Sequence, residues 1–305
     1  MRQSVTVRDG WEGIVTALAS AEPETVVELE RGTYSGSSTL HIPQGVTILG
    51  RAAVLDFSGT GPVIAAHDVA RVAVEDETID AGRADIPFCR QPGEDPFDPS
   101  EEQTWVEWGL IWFQQTDRAS LSNVSIMGCG KTVPGVYVSE SAGTSLESLQ
   151  VDHARHGVVF ANARGGRIKR GQFFENDLFG IVLTQSQGIS IVSNRCHDNT
   201  QSGILLVSSD SEAVEDNECW GNGSSGIALQ RDERSPDAAS HARLTGNRCH
   251  DNTQSGIVLF SPDSEAVEDN ECWGNGSSGI ALQRDERSPD AASHARLTGN
   301  RCHDN

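Results

Sequence analysis

The chain has 305 residues, 36% of them hydrophobic, enough to bury a substantial core in one elongated domain or two compact ones. Asp plus Glu number 44 against 23 Lys plus Arg, a net charge of -21 that argues against nucleic acid or an anionic membrane surface as the partner; an anionic ligand would need a local basic island. No stretch is long and apolar enough for a transmembrane helix, and the opening "MRQSVTVRDGWEGIV" lacks the features of a signal peptide, so the expected location is the cytoplasm, or secretion if the N-terminus is incomplete.

In chain order, residues 1–60 read as a cap and first coils. Asp9 is placed to N-cap a short helix, with Glu12 three residues later, and Trp11, Ile14 and Leu18 form its apolar stripe. Such a helix would cover the apolar end of a stack of coils. Residues 61–193 read as irregular coils interrupted by a long Pro-rich, acidic loop at 81–104, followed by Trp105 and Trp108. Those two rings are suited either to stack on a sugar or to cover the coil beneath.

From His153 to Phe174, "HARHGVVFANARGGRIKRGQFF", there is no acidic residue. The segment carries His153, Arg155, His156, Arg164, Arg167, Lys169 and Arg170, the one basic island of the chain. With Ile168 pointing inward, Arg167 and Lys169 face out together on one strand. The only other lysine, Lys131, lies four residues before Gly135 and so about one coil below His153 to His156.

The rest, 194–305, is built from near-identical 53-residue repeats: the block from Asn194 to Gly246 matches the block from Asn247 to Gly299 at 50 of 53 positions. A shorter beat runs inside it and upstream, marked by Gly135, Gly157, Gly180, Gly203, Gly226, Gly256 and Gly279, with apolar residues one and three places after each. Period two means strands. Four places before the glycines stand Asn176, Asn199, Asn222, Asn252 and Asn275; nine places before stand Asn194, Asn217, Asn247 and Asn270. If each beat is one coil, these side chains stack at about 4.8 Å, where an amide can donate to one neighbour and accept from the next. Cys196, Cys219, Cys249 and Cys272 read as a small apolar column pointing inward. The neighbouring column, His197, Trp220, His250, Trp273 and His303, is expected to face solvent, as a carbohydrate-stacking ladder or as a cover for the turns. Its histidines lie two coils apart, about 9.6 Å, too far to share a metal. The cysteines show no zinc-binding or compact disulfide spacing, and no metal ligand set is expected. The charged loop at 230–241, repeated at 283–294, offers Asp232, Glu233 and Asp237, compatible with Ca²⁺ but without a regular calcium-loop pattern.

Gly-apolar-x-apolar coils of 22 to 24 residues with asparagine turn ladders resemble the right-handed parallel β-helix of the pectate-lyase-like superfamily. The opening "DGWEGIVTALASAEPETVVELERGTYSGSSTLHIPQGVTILG" is similar to the start of such proteins. The resemblance implies an all-β, single-stranded right-handed parallel β-helix with a short N-terminal capping helix. It also implies a carbohydrate-active protein, a lyase or C5-epimerase acting on an acidic polysaccharide or oligosaccharide; the alternative is a non-catalytic scaffold that binds carbohydrate or self-assembles. Polyuronate lyases and epimerases need a cation beside the substrate carboxylate and a base for the C5 proton. Lys131 and Arg155 resemble the Lys/Arg pair of some superfamily lyases in spacing. The expected catalytic residues are therefore Lys131, His153, Arg155 and His156, with Arg164, Arg167, Lys169, Trp105 and Trp108 binding substrate. The paired-Asp motifs of polygalacturonases and the epimerase signature of Tyr, Gly, Asp, Pro and His are absent. The expected partner is a polysaccharide or oligosaccharide, not nucleic acid or a membrane, with a homo-oligomer formed through the exposed strand face or the uncapped C-terminal coil that ends at Asn305. Chemistry is expected in the irregular coils from about 76 to 175 rather than in the duplicated ones.

Overall fold

The computed structural model describes residues 3–86, 108–130, 133–230, 242–260, 265–283 and 295–305. They form a parallel β-solenoid with a single helix, Gly10–Ala19, and every strand pairing is parallel. A regular coil has three strands. In the coil that starts at Gly180 the first strand is Ile181–Thr184, the second Gln187–Val192 and the third Arg195–His197. Each pairs in register with its counterpart one coil on, Ile204–Val207, Ser211–Glu215 and Glu218–Trp220. The first strands stack ten deep, from Leu40–His41 to Ile280–Gln283.

The period-two pattern sets which residues point inward. Ile181, Leu183, Ile204 and Leu206 are fully buried in the central core, as are Ile191, Val214, Cys196 and Cys219 on the other two sides. The beat's glycines lie where coils approach closely. A Cβ on Gly203 would come within 2.8 Å of the Gly226 carbonyl oxygen and 3.1 Å of the Cys196 Cβ, so the strand must start without one.

Both asparagine ladders form as expected. Asn194 Nδ2 donates to Asn217 Oδ1 at 3.0 Å and to the Ile168 carbonyl at 2.9 Å, while its backbone N–H donates to the same Asn217 oxygen. Asn199, Asn222, Asn252 and Asn275 repeat the scheme at the other corner. Each amide thus satisfies backbone groups that the chain exposes where it turns out of a strand.

The helix departs from one expectation. Trp11, Ile14 and Leu18 are buried, and the Trp11 indole donates to the Ser38 carbonyl at 3.1 Å, so the apolar stripe caps the first coils. The Asp9 side chain makes no capping bond, however, with its backbone at φ -106° and ψ 69°. Gly10, at φ 61°, supplies the left-handed backbone through which the chain enters the helix.

Candidate functional site

The basic island divides among different sides of the solenoid. Arg164, Arg167 and Lys169 lie on the second strand, Arg164–Lys169, with Ile168 buried between the last two as the pattern requires. His153, Arg155 and His156 lie at the corner where the third strand, Gln150–Asp152, turns back towards the first strand, Val158–Ala161. The two groups are separated by the width of the third side. Lys131, Trp105 and the Asp232, Glu233 and Asp237 loop lie outside the described residues. Trp108 is half-buried and packed against the central core, covering it.

At the corner, His153 is exposed and sits in the left-handed conformation at φ 53°. Its Nδ1 lies 2.7 Å from an oxygen of Asp152, whose side chain is only 13% exposed, and its Nε2 lies 3.4 Å from Glu175. With Nδ1 engaged by the carboxylate, Nε2 is the nitrogen left to accept a proton. Arg155 is half-buried two residues further on. Burial holds its guanidinium below the usual range, while the Asp177 carboxylate acts in the opposite sense; it remains a cation. His156 is placed differently. It is enclosed, stacked on Phe179 with ring centroids 5.6 Å apart, and burial together with the charge of Arg155 lowers its pKa to about 3. Its imidazole is neutral at physiological pH and packs under the corner, away from the solvent that His153 meets.

Two surfaces look different from what their sequence suggests. The His/Trp column forms a continuous stack, Phe174, His197, Trp220, His250, Trp273 and His303, with neighbouring planes within 11° of parallel and centroids 4.2 to 6.1 Å apart. Within the stack ring faces cover one another, and the His197 side chain is 19% exposed against 38% for His303 at its end. A sugar cannot lie on a ring face that another ring already occupies. Each histidine of the stack also holds a carboxylate on Nδ1: Asp198, Asp251 and Asp304 at 2.8 to 3.0 Å.

The outward positions of the first strands form a second, separate apolar cluster from Tyr137 through Val159, Val182, Leu205 and Ala228 to Val258, all buried. Sequence alternation marked them as outward but gave no sign that they were covered. Among the described residues, no group of three or more His, Cys, Asp or Glu side chains is placed to hold a metal ion. Nor, among the described residues, is any helix long and apolar enough to cross a membrane.

A family model described as "Right handed beta helix region" matches residues 109–238 and 233–305. The chain belongs to that family. This right-handed β-helix is similar in structure to ORF18 of Geobacillus virus E2 (TM-score 0.65, 12% identity, 92% of this chain and 59% of that one). It is also similar to polygalacturonase from Erwinia carotovora ssp. carotovora (TM-score 0.61, 13% identity, 99% and 96%). A mutant of the periplasmic alginate epimerase AlgG aligns with TM-score 0.59 and 12% identity over 99% of this chain and 80% of that one. At such identities the likeness is one of fold. No curated protein matches the chain by sequence.

Proposed function

We propose that this β-helix protein acts on an acidic polysaccharide or oligosaccharide by removing the proton at C5 of a uronate, as a lyase or an epimerase. The observation that carries the reading is the His153–Asp152 pair: an exposed imidazole with Nδ1 held at 2.7 Å by a largely enclosed carboxylate, two residues from the half-buried cation of Arg155. Nε2 would take the proton, the imidazolium that forms would be stabilised by Asp152 and Glu175, and Arg155 would neutralise the substrate carboxylate so that the carbanion character at C5 costs less. Lys131, the other cation that the sequence offers, is kept in this reading as a catalytic residue. His156, neutral and stacked on Phe179, takes no part in proton transfer in this reading. The fold likeness to a polygalacturonase and an alginate epimerase supports a polyuronate as the substrate class.

The test is deuterium incorporation at C5, followed by NMR in D₂O with polymannuronate and polygalacturonate, alongside absorbance of unsaturated products. A lyase gives unsaturated products without deuterium at C5, because that carbon becomes trigonal as the C4 oxygen leaves; an epimerase reprotonates C5 and gives deuterium there without the absorbance. His153→Ala is expected to lower either rate by about 10²- to 10⁴-fold, the usual contribution of a positioned base. An unchanged rate in that variant, or neither signal with either polymer, would overturn the assignment.

The second reading, a non-catalytic scaffold, is favoured by the buried apolar cluster on the outward side of the first strands, which leaves no polar cleft among the described residues there. Sedimentation showing a monomer at all concentrations, with no glycan bound, would count against it.

A further inference from the structure

We propose that the second side of the solenoid, between Ser120 and Ser190, is a binding surface for an anionic glycan chain lying along the solenoid axis; this rests on the polysaccharide reading above. Three observations meet there. Arg164, Arg167 and Lys169 stand on one strand, and across the second strands Ala142–Glu147, Arg164–Lys169 and Gln187–Val192 they face a single carboxylate, Glu147. In a chain of net charge -21 such a local excess of cations is a focused field for an anion.

That carboxylate is already engaged. Arg167 Nη2 lies 3.7 Å from it and Arg170 also pairs with it, leaving Arg164 and Lys169 without an ion pair among the described residues. In the column of Arg164, Asp117 and Asp210 lie two coils away on either side, and Asp117 is held by Arg118 at 3.1 Å.

The floor is also suited to a chain. Ser120, Ser145, Arg167 and Ser190 make one outward column, with Ser145 Oγ accepting from Arg167 Nε at 2.9 Å. Beside it Gly143, Gly165 and Gly188 stack in register at φ 60° to 65°; a Cβ on Gly165 would meet nothing nearer than 4.0 Å. The backbone is bare at Gly165, with the Arg118 side chain lying against Gly143 on the coil before it, and hydroxyls and cations flank the strip. Coils advance by about 4.8 Å, so a chain along the axis would cross the cationic strand once and meet the serines of the coils on either side. The class is a carboxylated or sulfated saccharide; neither aromatic rings nor a metal take part.

The experiment measures affinity by calorimetry with the full chain and three probes: oligogalacturonate, a sulfated dextran and neutral dextran. Both anionic probes, or one of them, should bind, the neutral one should not, and affinity should fall as salt rises. Which anion binds more tightly distinguishes carboxylate from sulfate as the recognised group. Arg164→Ser with Lys169→Ser, at positions that hold no structural partner, should weaken binding roughly tenfold or more, in line with the loss of charge-assisted contacts. Gly165→Asn, which tolerates the left-handed φ, should cover the bare backbone and weaken binding while leaving its salt dependence unchanged. His153→Ala should leave affinity intact, so loss of catalysis and loss of this surface are separable. No anionic binding at low salt, or equal loss from Arg248→Ser on the third side, would overturn the proposal.

Discussion

Glu77 stands where Asn194, Asn217 and Asn247 stand in later coils, one residue before a third strand, with Val124, Leu149 and Gly171 between them in the same column. No second ladder amide lies next to it. It is 2% exposed, Oε2 has no hydrogen-bond partner, and burial raises its pKa to about 8 despite a bond from the Thr78 N–H. The carboxyl is therefore neutral at pH 7. Because the folded state holds the proton more tightly than the unfolded chain, its contribution to stability is complete below about pH 4.5 and is lost as pH rises towards 8. Glu77→Gln, which keeps the shape and cannot ionise, should remove that decline. Denaturant midpoints for both proteins between pH 5 and 9 check it, with a gain for the variant on the order of a few kcal/mol at the alkaline end.

At the scale of elements, the ladders hold the corners and the stacked rings line one side. Asn222 Nδ2 donates to the Cys196 carbonyl at 3.0 Å and to Asn252 Oδ1 at 2.9 Å, and its own oxygen accepts from Asn199. Asn222→Leu fits the space but strands buried donors and acceptors on both neighbouring coils, so unfolding by guanidinium should show a loss of about 3 kcal/mol or more. These elements were legible in the sequence because a solenoid writes each spatial column as a fixed interval: glycine, asparagine and cysteine recur at one coil, and hydrophobic alternation gives the sides. The absence of a capping bond from Asp9 was not legible, since it goes with the backbone angles at Asp9 and Gly10 rather than with residue spacing. The corner site was legible only as a run of cations. That Asp152 would hold His153, and that His156 would turn inward against Phe179, follows from where a short third strand ends, which no interval in the irregular coils specifies.

For the whole molecule, the repeating element is a pair of coils. Arg195 pairs in register with Glu218 and Glu218 with Arg248; His197 stacks on Trp220 and Trp220 on His250. At the corner Asp198 lies over Gly221, where a Cβ would come within 2.4 Å of the carboxylate oxygen. From Asn194 on, each coil is thus complementary to its neighbours and unlike them. Deleting residues 247–299 should leave all these pairings intact and give a shorter solenoid that unfolds cooperatively. Deleting residues 217–246 alone would set Arg195 against Arg248 and Asp198 against Asp251, and should lower the thermal midpoint well below that of the larger deletion. Thermal unfolding of the two truncated chains decides between this account and one in which any coil can follow any other.

The paired coils also bear on how such a gene can change length. An insertion or loss of one coil brings like charges together at the junction, whereas a tandem copy of two coils meets the same neighbours it left behind. Slippage between identical stretches of DNA would therefore be tolerated by the folded chain only in steps of 53 residues, each adding about 9.6 Å to the axis. The near-identity of the two blocks is what such growth by even numbers would leave behind.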